Sequence, residues 1–193
     1  MSSHTSQKLI ILAAPSGSGK TTLTNRLMQT FPQLAFSVSA CTRPPRAGEV
    51  DGKDYHFISL EAFREGIAND DFVEWEMVYQ GKYYGTRKSE LQRLWDLGKI
   101  PILDIDVKGA VNVMRQFPEN ALTVFIQAPS IDALRERLQN RGTETEESLA
   151  ERVNKAEEEL DYASHFQHTI VNDHLEEAAA KLIGIVRDFL QEN

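Results

Sequence analysis

The sequence predicts an α/β fold: a parallel sheet flanked by helices and interrupted by a small β-rich insertion. Three observations predict it. Short apolar runs at Leu9–Ala13, Ile100–Asp106 and Leu122–Ile126 read as strands buried on both faces. Segments with apolar residues three and four apart lie between them, as amphipathic helices require. A glycine-rich turn joins the first run to the first helical segment, giving the order strand, loop, helix.

The first helix carries the pattern Leu23, Leu27, Met28, and Phe31-Pro32 stops it. Leu34–Val38 reads as a short strand. From Ser39 the texture changes: the stretch to Glu49 is rich in Pro, Gly and Arg, lacks a period and reads as a loop. Asp51-Gly52 marks a turn, Tyr55-His56-Phe57 a short strand, and Leu60, Phe63 and Ile67 one short helix. Phe72–Tyr79 and Lys82–Tyr84 read as antiparallel strands around Gln80-Gly81. Helical spacing returns at Leu91, Leu94 and Leu97, with Gly98 as the stop. After the Ile100–Asp106 strand come a helix from Val111 to Phe117, the Leu122–Ile126 strand, and a helix Ala133–Gln139 capped at Ser130. A charged break from Arg141 to Ser148 precedes a long helix to about Ala163, a strand at Thr169–Val171 and a closing helix, Leu175–Leu190. Trp75 and Trp95 are expected in the core.

A chain of 193 residues accommodates one α/β domain with small insertions. Its net charge of −8 argues against broad nucleic-acid binding, so an anionic ligand must be held by a local basic cluster. The single cysteine, Cys41, excludes an internal disulfide and suits a reducing compartment. The apolar run at 9–14 is too short for a signal core or a membrane span, so a cytoplasmic protein with no membrane or nucleic-acid partner is expected; oligomeric state is not legible.

Chemistry concentrates at five places. Ala14, Pro15, Ser16, Gly17, Ser18, Gly19, Lys20, Thr21 and Thr22 follow a strand and open a helix, the context of a phosphate-binding loop. Main-chain N–H groups there cradle an anion, Lys20 reaches β- and γ-phosphates, and the Thr21 hydroxyl suits Mg²⁺. Ala14 stands where that pattern opens with Gly, which is tolerable if φ stays negative. Asp104 and Asp106 end an apolar strand, where a carboxylate can hold Mg²⁺ through water or can simply cap the next helix. The residues alone leave open which acid faces metal and which faces substrate. Arg43 and Arg46, with Tyr55 and Tyr84, form a candidate second anion site, the alternative being a solvated Arg-Pro loop. Glu74 could accept from guanine N1–H and N2–H₂, with Ser39 and Thr86 beside it, although by itself it is one acid among many. Arg137, Arg141 and Arg152 flank Gly142 and could neutralise a transferring phosphoryl group or form surface pairs with Glu136, Glu144 or Glu151. Cys41 reads as a small space-filling side chain, and the five histidines show no metal-ligand spacing.

Taken together, these pieces resemble the guanylate kinase family over essentially the whole chain. The matching stretches are 14–20 (APSGSGK), 42–55 (TRPPRAGEVDGKDY), 72–75 (FVEW), 83–86 (YYGT), 102–106 (ILDID), 137–142 (RLQNRG) and 170–173 (IVND). The resemblance implies ATP:GMP phosphotransfer with Mg²⁺ on a P-loop NTPase core (1–38, 88–129 and 165–193), a GMP-binding insertion (39–87) and a lid (130–164). It assigns the GMP phosphate to Arg43, Arg46, Tyr55 and Tyr84, and the guanine to Ser39, Glu74, Thr86 and Asp106. ATP falls to residues 14–22 with Asn172 near the adenosine, and the metal to Thr21 and Asp104. Lys20, Arg43, Arg137, Arg141 and Arg152 become the catalytic cations. Ala14 also occurs in bacterial members; Cys41 stands where the family usually has Thr or Ser, which removes a hydroxyl contact. Scaffold domains of similar sequence bind phosphopeptides without catalysis, but those typically lack the working loop that Lys20 and Thr21 supply here. A P-loop kinase for another small acceptor is the remaining alternative, since acceptor choice rests on Glu74 and its neighbours.

Overall fold

Leu9–Ala13 is wholly buried at every position, and this strand, β1, is the middle one of a five-stranded sheet. A strand covered on both faces needs no polar alternation, which is why it reads as a continuous apolar run. The computed structural model describes residues 7–140 and 146–191, with the side chain of Tyr79 excepted. Along the larger sheet the order is β2-β7-β1-β8-β9, where β2 is Leu34–Phe36, β7 Ile100–Asp104, β8 Ala121–Gln127 and β9 His168–Val171. β2 pairs with β7 and β8 with β9, both in parallel. The insertion forms a four-stranded sheet ordered β4-β3-β6-β5, from β3 Ala40–Cys41, β4 His56–Phe57, β5 Phe72–Tyr79 and β6 Lys82–Arg87.

The helices are α1 Lys20–Thr30, α2 Leu60–Ala68, α3 Lys88–Asp96, α4 Val107–Gln116, α5 Ile131–Gln139, α6 Glu146–Leu160 and α7 Leu175–Gln191. Backbone contacts divide the chain into two units. One holds Gln33–Ala121 with the chain up to Ile10; the other holds Ile11–Pro32 with the chain from Leu122 onward. In the first unit, Ala40, Phe63 and Phe72 form the apolar centre of the insertion, with the Phe63 and Phe72 rings stacked at 4.5 Å. In the second, α5 and α6 share a core of Leu134, Leu138, Leu149, Val153 and Ala156.

Several expectations need correction. The stretch 39–49 is not wholly loop, because Ala40 and Cys41 pair with Gly85 and Tyr84 of β6. Such a two-residue strand is too short to show a period. α4 starts at Val107 rather than Val111, since Asp106 caps it. α6 stops at Leu160, short of Ala163, after which a 3-10 turn spans Asp161–His165. Trp75 is 41% exposed, not core, because it lies on β5 at the edge of the smaller sheet. Trp95 is half-buried, and its indole N–H donates to Lys8 O at 3.0 Å.

Candidate active site

Three of the expected groups of residues are brought together: the glycine loop in the second unit, and the Arg43 cluster and the Glu74–Thr86 pair in the first. In the glycine loop after β1, Gly17 (φ 93°) and Gly19 (φ 88°) are both left-handed, a conformation that only glycine adopts without strain. Ala14 has negative φ, as its side chain requires, since Asp70 is the one non-glycine with positive φ among the described residues. A Cβ at Gly17 would lie 3.1 Å from Leu138 Cγ, so the loop is seated directly on α5.

The start of α1 is bare. Its N-cap, Gly19, supplies no side-chain acceptor, and its first turn holds no acid. Ser59, Asp106 and Ser130 cap α2, α4 and α5 with side-chain oxygens. With no capping side chain there, the N-terminal turn of α1 and the positive end of its dipole suit an anion. Ser18 Oγ is buried with no hydrogen-bond partner, a vacancy that suits a phosphate oxygen. Lys20 and Ser16 are half-buried, Pro15 is buried, and Thr21 and Thr22 are exposed on the first turn of α1.

Asn172 is 5% exposed and acts on the loop itself: its Nδ2 donates to Ser18 O at 2.8 Å. A Cβ at Gly19 would collide with that amide, so Asn172 buttresses the loop from behind. The resemblance did not include this contact with the loop. Arg152 Nη1 donates to Ser16 Oγ at 2.9 Å, which brings one of the three expected lid arginines onto the loop. Arg137 is half-buried in the last turn of α5, and Arg141 lies outside the described residues.

The cluster expected to form a second anion site centres on Arg43, which is 8% exposed. Its two terminal nitrogens each donate to a Glu49 oxygen at 2.6 Å, a bidentate fork, while its Nε is buried without a partner. Arg43 holds the Glu49 carboxyl at about 2, far below the usual range. The guanidinium stands 4.9 Å from the Tyr55 ring centre, and Tyr55 meets Tyr84 edge to face at 5.9 Å. Burial first, then the Asp104 charge, push the Tyr55 hydroxyl up to about 12, so it stays a neutral donor at any working pH. Arg46 has an exposed side chain, and its main-chain N–H donates to Glu49 at 2.7 Å. Sequence reasoning missed Glu49. Its signal was an acid six residues after Arg43 on the same loop. Cys41 is wholly buried and burial raises its thiol, which fits a space-filler and not a nucleophile.

Glu74 and Thr86 face each other directly across the β5–β6 ladder. Thr86 Oγ1 donates to Glu74 Oε1 at 2.7 Å, and both residues are buried, as is Ser39. Burial is the main cause that pushes the Glu74 carboxyl up to about 7, with the Asp106 charge adding to it and the Thr86 hydrogen bond opposing it. Asp106 caps α4, accepting from Gly109 N at 2.8 Å, so the capping role is real and coexists with proximity to Glu74. Asp104 is half-buried at the end of β7 and its charge is felt by Tyr55, placing it toward the anion arrangement.

The family model for guanylate kinase matches residues 6–189. The chain is 45% identical to guanylate kinase of Bacteroides fragilis over 183 residues, covering 95% of this chain and 90% of that one. It is also 45% identical to guanylate kinase of Salinibacter ruber over 184 residues, covering 95% and 97%. Among solved structures it is similar to guanylate kinase from Anaplasma phagocytophilum, with a TM-score of 0.78, 30% identity, and coverage of 96% of this chain and 87% of that one.

Proposed function

The chain belongs to the guanylate kinase family and transfers the γ-phosphoryl group of ATP to GMP, giving ADP and GDP; from that premise we propose how its residues divide the work. The glycine loop, residues 14–22, holds the ATP phosphates, with main-chain amides accepting the anion and Lys20 neutralising charge that builds on the β- and γ-oxygens. Arg43, Arg46, Tyr55 and Tyr84 hold the acceptor phosphate. Glu74 reads guanine, with Ser39, Thr86 and Asp106 around it. Arg137, Arg141 and Arg152 close over the transferring group and exclude water from it. Asn172 keeps the loop in its shape. The insertion 39–87 serves as the GMP domain, 130–164 as the lid, and the remainder as the core.

The buried Glu74–Thr86 pair is the observation that carries acceptor choice. An ionised carboxylate matches the two donors on guanine N1 and N2, whereas adenine N1 is an acceptor and leaves it unpaired. In the anion site, Arg43 Nε has no protein partner and Glu49 already holds the two terminal nitrogens. Phosphate oxygens therefore share Arg43 with Glu49 or displace it.

Mg²⁺ fits the donors present. Among the described residues no group of three or more His, Cys, Asp or Glu forms a cage. The Thr21 hydroxyl, in the second unit, and the Asp104 carboxylate, in the first, are each hard oxygen donors of the kind that would hold it. When bound, the metal would supply positive charge that offsets the negative charge of the ATP phosphates. No described helix is long and apolar enough to cross a membrane. A cytoplasmic site of action, with ATP and GMP as the small-molecule partners, agrees with one reduced, buried thiol.

A pH profile tests the reading. With Glu74 titrating at about 7 in the unbound protein, lowering the pH protonates it and removes the acceptor that guanine needs. kcat/KM for GMP is expected to fall about tenfold per pH unit below 7, with the proton released again on binding. The acceptor phosphate titrates near pH 6. Glu74→Gln is therefore expected to abolish the step near 7 and keep the one near 6. A wild-type profile flat between pH 6.5 and 8.5 would remove Glu74 from guanine recognition.

A further inference from the structure

β5 and α4 are fastened at two points. Gln116 Nε2, in the last turn of α4, donates to Val73 O at 2.7 Å. At the other end of the helix, the Glu74 carboxylate lies against the first turn, where Gly109 sits three residues after the Asp106 cap. Gly109 does not have positive φ, so nothing in its backbone conformation demands glycine. Its helical position disfavours glycine, since alanine is the better helix former. What requires the missing side chain is the neighbour: a Cβ at Gly109 would stand 2.6 Å from Glu74 Oε2, with Asp106 Oδ1 at 3.4 Å. Two heavy atoms of that kind need more than 3 Å, and the flexible end of Glu74, not the helix backbone, is what would yield.

We propose that Gly109 is a specificity-determining position, whose vacant side-chain site is the seat that holds the Glu74 carboxylate in register for guanine. The inference rests on Glu74 as the guanine-reading group. Seated there, the carboxylate has one oxygen on Thr86 and the other against the N-terminal turn of α4. The positive end of the helix dipole favours its ionised form at that place, against the burial that opposes it. Any side chain at 109 moves the carboxylate by several tenths of an ångström. A pocket that discriminates by hydrogen-bond register loses selectivity for displacements of that size.

Four proteins test this: wild type, Gly109→Ala, Glu74→Ala and the double variant, each measured for melting temperature and for KM of GMP and of ATP. Gly109→Ala alone is expected to raise KM for GMP about tenfold or more while kcat changes less than about threefold and KM for ATP stays put. In the Glu74→Ala background the same substitution meets no carboxylate. There it should leave KM for GMP within about twofold and raise the melting temperature by roughly 2–4 °C, a gain absent when Glu74 is present. An equal melting shift in both backgrounds, or an unchanged KM for GMP in Gly109→Ala beside an impaired Glu74→Ala, would overturn the seat. An unchanged KM for GMP in Glu74→Ala itself would instead overturn the guanine reading on which the proposal stands.

Discussion

Lys20→Ala is expected to lower kcat by a factor on the order of 10³ while leaving the melting temperature within a few degrees of wild type. The reason lies in when the charge matters. Phosphoryl transfer asks little covalent work of the protein, so positioning and charge neutralisation carry most of the rate. Negative charge moves onto the β–γ bridging oxygen as the bond breaks, and the role proposed for the Lys20 ammonium, at the first helical position of α1, is to meet it there. Binding of ground-state ATP leans more on the main-chain amides, which the substitution keeps, so KM for ATP should rise less than kcat falls. Alanine is a better helix former than lysine at that position, which protects the fold. Turnover within a few-fold of wild type would contradict the phosphate-cradle assignment, provided circular dichroism shows α1 intact.

Glu74→Gln is expected to raise KM for GMP by about 10²-fold and to make the protein more stable at the same time. The amide presents a donor where guanine also presents donors, so one hydrogen bond is lost and one repulsion gained. Stability moves the other way because the unbound protein buries an acid whose pKa sits at about 7 instead of 4.5. A raised pKa gives stability that is fully present below pH 4.5 and is lost as the pH climbs through 7. At pH 8 the ionised carboxylate costs about 3 kcal/mol relative to its protonated form. Glutamine removes that cost and keeps an acceptor for Thr86, so a net gain of about 1–2 kcal/mol remains, and each kcal/mol is worth roughly 2–4 °C in a chain of this size. Thermal melts should therefore show the largest advantage of Glu74→Gln at pH 8 and almost none at pH 5. A variant less stable than wild type at pH 8 would mean the carboxylate is stabilised in ways that burial and Asp106 do not describe.

What the sequence revealed and what it withheld divide along physical lines. β1 and the glycine loop were legible because a doubly buried strand and a phosphate cradle each impose a local pattern on adjacent residues. Helix starts with side-chain caps were legible for the same reason at Ser130, but the capping role of Asp106 competed with a metal role until its bond to Gly109 N was in view. β3 was not legible, since two residues carry no period and Ala40–Cys41 is strand only through pairing with β6. The proposed guanine pocket shows the limit most clearly. Glu74 could be singled out only through family resemblance, because what distinguishes it from other acids is a cross-strand partner, Thr86, and a vacant site on α4 at Gly109. The buttress on the glycine loop links Asn172 to Ser18, 154 residues away, beyond any local pattern. Resemblance placed Asn172 near adenosine. Its hold on the main chain of the loop is a further contact that the resemblance did not include.

Steady-state phosphorylation of GMP and of AMP, at saturating ATP with Mg²⁺ and at pH 8, tests the central claim most directly, since it asks whether a buried carboxylate chooses the acceptor. The expected kcat/KM for GMP exceeds that for AMP by about 10³ or more, the discrimination open to a site built on hydrogen bonds that the wrong base leaves unpaired. Comparable values for the two nucleotides would contradict it.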